Sequence, residues 1–400
     1  MNGAPPFRVA FLFNHEAVHQ VRHTAPVAAR LARYPGLEVA ILSSSAAQDR
    51  EARAIVGDGP GNGTVRFRML TPGAIARVAG PLLSLAGPFR RIAVLLHNRR
   101  HLAGYDAIVV PETTTMLLRD AMGVKTPKLI WIPHGAGDRS VGFRRIAARF
   151  DLVLVAGPKV RERMIAEGGV EPERCRIVGY PKFDTLDPSS PGPPLFANGR
   201  PTVVYNPHFD PRLSSWFEMG EAVLDWFAGQ DRFNLVFAPH VMLFRRRIHA
   251  SVEHRLLRWR GEVAARFRDH PAMLIDTGSA RSTDMTYTRS ADIYLGDASS
   301  QIYEWIARPR PAIFLNPRRI DWHDDPNFAH WQLGPVVGDI AGMAHALDAA
   351  QVSPDGYAAR QAEAFARTFS VESVPAAGRA ARALVDLLES SVRRPGEGMA

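Results

Sequence analysis

Short apolar runs alternate with longer helix-like stretches along most of the chain. The runs are rich in β-branched and aromatic residues and are continuous, which is typical of strands buried on both faces of a parallel sheet. They lie at residues 9–13, 39–42, 107–110, 129–132, 152–155, 176–178, 202–205, 235–237, 273–275, 292–295 and 312–315. Helix-like stretches separate them, as at 17–33, 159–167 and 214–227. This alternation predicts α/β units throughout the chain.

A stretch rich in proline, serine and glycine, from Asp187 to Pro194, interrupts this pattern near the midpoint. A full set of βα units lies on each side, and 400 residues exceed what one hydrophobic core usually supports. We therefore expect two Rossmann-like, doubly wound α/β domains. The expected divisions are a first domain at 1–187, a linker at 188–200, a second domain at 201–375, a closing helix at 376–392 and a disordered tail at 393–400.

Composition narrows the class of protein. A hydrophobic fraction of 46% and a charged fraction of 22% exclude a mostly disordered chain. The single cysteine excludes an internal disulfide and a Cys-rich zinc site. There is no Walker-type phosphate loop, and no G-x-G-x-x-G motif follows the first strand, so we expect no dinucleotide cofactor. The net charge of +9 favours anionic partners such as phosphates and nucleotides, but nucleic-acid binding has only this bulk charge behind it.

No apolar run is long enough to cross a membrane, and the first residues lack the basic segment of a signal peptide. We expect a cytoplasmic protein that is soluble or peripheral on the inner face of the cytoplasmic membrane. Residues 74–102 combine an apolar run with two arginine pairs, Arg90-Arg91 and Arg99-Arg100. They fit one or two helices with solvated basic ends, or a patch that contacts anionic lipid.

Four polar constellations follow predicted strands, where open α/β sheets place their ligand sites. The first contains His134, Gly135 and Asp138. A histidine at the carboxyl end of a strand can act as a general base near neutral pH, and the glycine lets a ligand approach the backbone. The alternative is a histidine that only satisfies a loop carbonyl.

The second and third constellations each end a strand with Pro-His. They contain Asn206 and His208 after one strand and His240 after the next. Each imidazole could donate a hydrogen bond to a phosphate oxygen. Either histidine could also belong to an ordinary turn.

The fourth constellation contains Asp297, Ser299, Ser300 and Glu304. A serine there would cap a helix that runs to about Ala307, and such a helix start can bind a pyrophosphate. Glu304 could then accept a hydrogen bond from a ribose hydroxyl. The alternative is an ordinary serine N-cap without a ligand.

In this order the motifs resemble those of the CDP-glycerol glycerophosphotransferase family, the teichoic-acid and capsule polymerases. The matching stretches are His134-Gly135, Gly179-Tyr180-Pro181-Lys182-Phe183-Asp184, Tyr205-Asn206-Pro207-His208, His240, Ala291 to Glu304 and Arg310 to Phe314. The chain departs from the family pattern at Val241, which stands where the family has proline. It departs again at His208, which replaces threonine, and at Ala298, which replaces tyrosine. These departures bear on the identity of the donor more than on the fold.

The resemblance implies a GT-B fold, with two Rossmann-like lobes facing each other across a cleft. It implies a transferase that moves glycerol phosphate, or a related polyol phosphate, from a CDP-activated donor to a hydroxyl of a cell-surface glycan or lipid. No resident cofactor is expected, and the need for a divalent metal stays open. The expected catalytic residues are His134 and Asp138, the nucleotide and pyrophosphate ligands are His208, His240, Asp297, Ser299, Ser300 and Glu304, and the supporting residues are Gly135, Gly179, Pro181, Asp184 and Asn206.

Two other functions fit the same motifs. One is a GT-B glycosyltransferase that uses a nucleotide sugar, or a UDP-sugar 2-epimerase. The other is a two-lobed nucleotide-binding protein without catalytic activity.

Overall fold

The computed structural model of the chain describes residues 5–15, 17–57, 64–73, 89–251 and 254–392. The chain divides into two compact units. Unit 1 consists of Met1–Ala136, Val141–Leu186 and Arg367–Ala400, and unit 2 consists of Gly137–Ser140 and Asp187–Ala366.

Unit 1 is built on a seven-stranded parallel sheet in the order β3-β2-β1-β4-β5-β6-β7. Its strands are β1 Phe7–Phe13, β2 Leu37–Ser43, β3 Val65–Met69, β4 Ala107–Val110, β5 Lys128–Trp131, β6 Leu152–Val155 and β7 Cys175–Ile177. Its α-helices are α1 Ala25–Leu31, α2 Ala46–Val56, α3 Phe89–Leu102, α4 Leu117–Asp120, α5 Pro158–Ala166 and, late in the chain, α12 Ala376–Val392.

Unit 2 is built on a six-stranded parallel sheet in the order β12-β9-β8-β13-β14-β15, and a separate antiparallel pair joins β10 to β11. Its strands are β8 Thr202–Asn206, β9 Asn234–Phe237, β10 Ile248–Ser251, β11 Leu256–Trp259, β12 Met273–Ile275, β13 Ile293–Gly296, β14 Ala312–Leu315 and β15 Val336–Val337. Its α-helices are α6 Trp216–Ala228, α7 Ala265–Arg268, α8 Thr286–Ser290, α9 Gln301–Trp305 and α10 Ile340–Val352, and α11 Ala358–Thr368 crosses its boundary with unit 1.

The two parallel sheets confirm the α/β prediction, because nearly every apolar run is a buried strand. The strands that the pattern missed lie where the apolar run is broken or short. In β3, for example, Arg66 and Arg68 alternate with Val65 and Phe67, because this is an edge strand with one polar side. The strands β10, β11 and β15 were also missed. The predicted helix at 17–33 is instead a short 3-10 helix at Val18–His23 followed by α1, which begins at Ala25 with Pro26 in its first turn.

The division between the units differs from the expected one, and the expected linker at 188–200 falls in unit 2. Unit 2 ends at Ala366 rather than at residue 375, and α12 Ala376–Val392 belongs to unit 1. Packing explains the difference, since Ala380, Leu384 and Leu388 of α12 lie in the same apolar cluster as strand β1. The short segment Gly137–Ser140, expected in the first domain, belongs to unit 2.

No helix in the described part of the chain is long and apolar enough to cross a membrane. Of the stretch 74–102 with its two arginine pairs, residues 74–88 lie outside the described residues, and the rest contains α3. The lipid interpretation of that stretch therefore stays a prediction. The predicted tail at 393–400 also lies outside the described residues.

Candidate active-site residues in the two units

His134 lies just beyond the carboxyl end of β5 in unit 1. Its ring Nδ1 is 3.0 Å from the carbonyl oxygen of Pro111, which follows the neighbouring strand β4. A carbonyl oxygen can only accept a hydrogen bond, so Nδ1 carries the proton and is the hydrogen-bond donor. In the neutral ring, Nε2 then holds the lone pair. This is the tautomer that a general base needs.

The surroundings of His134 favour its neutral form. Although the residue keeps an exposed surface, the loss of hydration in the densely packed protein lowers the pKa of its imidazole. The hydrogen bond to Pro111 and the charge of Glu112 act in the opposite direction, while Arg91 lowers the pKa further. At neutral pH, His134 is therefore ready to accept a proton.

Three further histidines of unit 1 surround this position. The ring centroids of His19 and His23 each lie 6.4 Å from that of His134. Burial lowers the pKa of His15 to about 3 and that of His23 well below its usual value, so both stay uncharged. Among the described residues, His15 Nε2 and His23 Nδ1 are buried without a hydrogen-bond partner. No regular spacing in the sequence marks His15, His19 and His23 as neighbours of His134.

An ion pair holds the loop ends beside these histidines. Glu112 pairs with Arg91 and also accepts hydrogen bonds from the backbone N–H of Thr114 and the hydroxyl of Thr115. Arg91 Nε donates to the carbonyl of Asn14 at 2.8 Å. The pair ties the loops after β1 and β4 to helix α3. The sequence pattern placed Arg91 only in the possible lipid patch and did not single out Glu112, because residues that pair from distant parts of the chain leave no local signal.

The Gly-Tyr-Pro-Lys-Phe-Asp stretch anchors α12 within unit 1. Gly179 has φ +85°, and a Cβ there would lie 2.7 Å from the carbonyl oxygen of Ser370. The carboxylate of Asp184 accepts hydrogen bonds from the backbone N–H groups of Ala376 (3.0 Å) and Ala377 (2.6 Å) at the start of α12. Burial raises the pKa of Asp184. These contacts tie Gly179 and Asp184 to the segment that starts α12, and Pro181 between them is buried.

In unit 2, His208 and His240 follow the neighbouring strands β8 and β9. Their ring centroids are 5.2 Å apart. In each ring Nδ1 accepts a backbone N–H, from Asp210 at 3.0 Å and from Met242 at 3.2 Å. An accepting Nδ1 leaves the proton on Nε2 of the neutral ring. Both histidines are therefore oriented by the backbone as Nε2–H donors.

Arg139 brings a charge to this pair. Its Nη1 lies 3.3 Å from His208 Nε2, so two N–H donors face each other. Burial, and then the charges of His240 and Arg139, hold the pKa of His208 well below its usual value. Two converging donors, one of them cationic, suit an oxygen of a phosphate group. The sequence offered no cue beyond the position of Arg139 next to Asp138.

Asp297 positions the loop that carries His208. Its buried carboxylate accepts hydrogen bonds from the backbone N–H of His208 (2.8 Å) and from the N–H (2.7 Å) and hydroxyl (2.8 Å) of Ser215. Burial raises its pKa to about 6, against the opposing effect of these hydrogen bonds. Asn206 similarly joins two strand ends, since its Nδ2 donates to the carbonyl of Ala238 at 2.6 Å.

Ser299 and Ser300 precede helix α9, which is shorter than the sequence predicted. Helix α9 ends at Trp305 rather than near Ala307. Ser299 is buried and its hydroxyl accepts from the N–H of Gln301 at 3.3 Å, while Ser300 is exposed. A Cβ on Gly137 would lie 2.8 Å from that of Ser300, so only glycine permits this approach. Glu304 is buried on the same short helix.

Asp138 is buried beneath this region of unit 2. Both of its carboxylate oxygens lie 2.7 Å from the hydroxyl of Tyr303, and Oδ2 also lies 2.9 Å from His330 Nδ1. The other ring nitrogen of His330 lies 3.1 Å from the carbonyl oxygen of Asp297. This chain of contacts links Asp138 to Asp297. The geometry favours a positioning role for Asp138 over the predicted catalytic one.

A cavity of about 730 Å³ lies elsewhere in unit 2, at the carboxyl ends of β14 and β15. Trp322, Trp331 and Tyr357 are among its lining residues. None of the predicted nucleotide ligands lines it. The described part of the chain has no cluster of three or more histidine, cysteine, aspartate or glutamate residues arranged to hold a metal ion.

No protein-family model and no curated protein matches the sequence. Solved structures do match over nearly the whole length. The wall teichoic acid polymerase TagF shares 14% sequence identity, with a TM-score of 0.55 over 98% of this chain and 90% of its own. A putative UDP-N-acetylglucosamine 2-epimerase from Listeria monocytogenes shares 13%, with a TM-score of 0.56 over 99% and 100%. S. aureus MnaA, solved with UDP, shares 12%, with a TM-score of 0.57 over 98% and 99%.

At identities this low, these neighbours establish the fold alone. At that level they confirm the resemblance that the motifs indicated. The chain has the GT-B fold, which it shares with the wall teichoic acid polymerase TagF and with UDP-N-acetylglucosamine 2-epimerases.

Proposed function

We propose that the protein is a transferase that moves glycerol phosphate, or a related polyol phosphate, from a CDP-activated donor to a hydroxyl of a cell-surface glycan or lipid. The observation that carries the proposal is the donor group of unit 2, formed by His208, His240 and Arg139. Two imidazole N–H groups and one guanidinium match the oxygens of a diphosphate.

The charges in this donor group suit the reaction. A CDP-linked donor expels CMP, whose phosphate gains negative charge in the transition state. Donors that are already oriented by backbone hydrogen bonds stabilise that charge without reorganisation. Asp297 holds the loop of His208 in place, so it serves as a positioning residue. Ser299, Ser300 and Glu304 are proposed as further contacts to the diphosphate and the ribose.

His134 supplies the base in this proposal. The acceptor hydroxyl oxygen attacks the phosphorus that bears the polyol, and the P–O bond to CMP breaks. The hydroxyl proton passes to His134 Nε2, while the leaving CMP keeps the electron pair of the broken bond. No oxidant, reductant or further co-reactant is needed. The hydrogen bond from Nδ1 to Pro111 stabilises the imidazolium that results.

The partners follow from the chemistry. They are the nucleotide-activated donor and a glycan or lipid-linked acceptor, with no nucleic acid. We place the reaction on the cytoplasmic side of the membrane, where nucleotide-activated donors are made.

The test is an assay of CMP release from CDP-glycerol by the purified full-length chain. A lipid-linked disaccharide and an oligo(glycerol phosphate) serve as acceptors in separate reactions. We expect CMP to appear only with an acceptor, and thermal stabilisation to be stronger with CDP than with UDP or GDP. The exposed His345 on α10 provides a matched histidine control, because His345→Ala should leave turnover unchanged.

Two results would replace this proposal. Conversion of UDP-N-acetylglucosamine to its 2-epimer without an acceptor would identify an epimerase, the activity for which two of the structural neighbours are named. Saturable binding of nucleotides without turnover of any donor would identify a binding protein.

A further inference from the structure

The hairpin of β10 and β11 exposes an apolar face. The strand register pairs Ile248 with Trp259 and Ala250 with Leu257, so these four side chains share one face. Three of them are large and exposed: Ile248 by 52%, Leu257 by 62% and Trp259 by 58%. Ala250 between them is exposed as well.

The opposite face of the hairpin packs on the rest of unit 2 through polar side chains. His249 and Ser251 are buried there, and His249 Nε2 lies 2.8 Å from the carbonyl oxygen of Leu243. Just after the end of β11, the carbonyl of Arg260 accepts a hydrogen bond from Trp216 Nε1 at 2.6 Å. These contacts fix which face points outward. The usual order of an antiparallel sheet, apolar inside and polar outside, is therefore reversed.

Arginines surround this apolar face. Residues 242–262 contain six arginines and two acidic residues, Glu253 and Glu262, and Glu262 pairs with the buried Arg260. Arg246, Arg247 and Arg255 are exposed beside the strands, whereas Arg258, also exposed, is paired with His249 on the opposite face of the hairpin. A surface of this kind attracts anions and presents apolar groups to them at the same place.

We propose that this hairpin surface, formed by Ile248, Leu257 and Trp259 with the flanking arginines, docks the protein on an anionic lipid bilayer. The apolar side chains would enter the headgroup layer, and the guanidinium groups would bind lipid phosphates. Tryptophan and arginine are both favoured at this depth of a membrane.

Size and charge favour a bilayer over a protein partner. Three exposed side chains cover far less than the roughly 800 Å² that each partner buries in a stable protein interface. A bilayer needs no matching surface of that size, because charge attraction adds to insertion. A second copy of this chain would bring its own arginines to the contact and be repelled. The inference does not depend on the transferase activity, since it concerns binding alone.

The test is co-sedimentation of the full-length chain with lipid vesicles. One set contains equal parts of phosphatidylcholine and phosphatidylglycerol, and the other contains phosphatidylcholine only. We expect binding to the anionic set, with loss at about 0.5 M salt because screening removes the charge attraction. Two variants probe the surface separately. The double change Leu257→Ser and Trp259→Ser removes apolar insertion, and the double change Arg246→Glu and Arg247→Glu reverses the charge.

Each variant should lower the bound fraction at least tenfold. Val352→Ser, at an 87% exposed valine on α10, and Arg200→Glu, at an exposed arginine just before β8, are the matched controls and should bind as the parent does. Unchanged thermal unfolding shows that the hairpin variants fold. Free inorganic phosphate, added to about 10 mM, should compete only weakly if the ligand is a membrane surface.

Three outcomes would overturn the proposal. The parent chain could fail to sediment with anionic vesicles. The hairpin variants could sediment as well as the parent, so that another surface binds the lipid. The parent could form a dimer that the hairpin changes dissociate while no vesicle binding is seen, so that a second copy covers the face.

Discussion

The histidines of the two units differ in what their ring nitrogens contact. In unit 2, His208 and His240 each use Nδ1 to accept a backbone N–H, so the backbone fixes their tautomer and direction. In unit 1, His134 uses Nδ1 to donate to a carbonyl, which leaves a basic Nε2. The same residue type is thus set as a hydrogen-bond donor in one unit and as a proton acceptor in the other.

This difference shows that local backbone geometry, rather than residue type, assigns a histidine its chemistry. Donors that bind an anion need no change in protonation during a reaction, whereas a base must gain and lose a proton. The comparison therefore predicts that changes in unit 1 affect the rate, and that changes in unit 2 affect nucleotide binding.

The largest expected effect follows from removing the base. His134→Gln keeps a polar side chain but no basic nitrogen, so we expect CMP release to fall about 1,000-fold, within the range for general-base catalysis. The dissociation constant for CDP should stay within about twofold, because no binding contact in unit 2 is lost. Steady-state kinetics and calorimetric titration with CDP measure the two quantities.

His101→Gln is the control within unit 1, since that histidine lies in the last turn of α3, where its ring contacts Tyr105. It should leave the rate within a factor of about two. If His134→Gln instead weakened CDP binding and spared the rate, the division of roles between the units would be wrong.

The second effect tests the donors of unit 2. His208→Ala combined with His240→Ala removes two N–H donors to a charged group, so we expect CDP to bind about 100-fold more weakly. Arg139→Ala should weaken it about tenfold or more for the same reason. His345→Ala is the control. Equal loss of cytidine and CDP binding would contradict a role at the phosphates, because cytidine has none.

Sequence reasoning found these histidines because each follows an apolar strand, and strand ends meet at one edge of a parallel sheet. The continuous apolar runs themselves predicted the strands of both sheets. Sequence reasoning missed the ion pair of Arg91 with Glu112 and the position of His330, since side-chain contacts between distant loops leave no periodic trace. It also predicted too long a helix after Ser300, since α9 ends at Trp305 and a turn follows it.

A smaller effect concerns the stability of unit 1. Asp184 receives two backbone N–H groups at the start of α12, so Asp184→Ala should lower the free energy of unfolding by about 1–2 kcal/mol. Asp339 is the matched cap of α10 in unit 2, where it accepts from Gly342 at 2.8 Å, and it is exposed. Asp339→Ala should cost about 0.5–1 kcal/mol. Urea denaturation of both variants measures the difference, and a larger loss at Asp339 would contradict the anchoring role of Asp184.

The smallest effect is the dependence of the rate on pH, and it separates the two kinds of histidine most directly. The pKa of His134 lies below its usual value of 6.5, and only its neutral form accepts a proton. The rate should therefore fall as the pH drops through that lowered pKa. Between pH 7.5 and 6.5 the change should be less than the roughly twofold loss that an unshifted histidine gives.

Glu112→Gln sharpens this prediction, because the charge of Glu112 raises the pKa of His134. Its loss, together with an Arg91 that has lost its ion-pair partner, should lower the pKa further and move the acid limb of the rate profile to a lower pH. A limb that moves to a higher pH would mean that the group titrating in the rate profile is not His134. Binding of CDP over the same range should not follow this limb, since the pKa of His208 in unit 2 lies well below 6.5 and its ring stays neutral there.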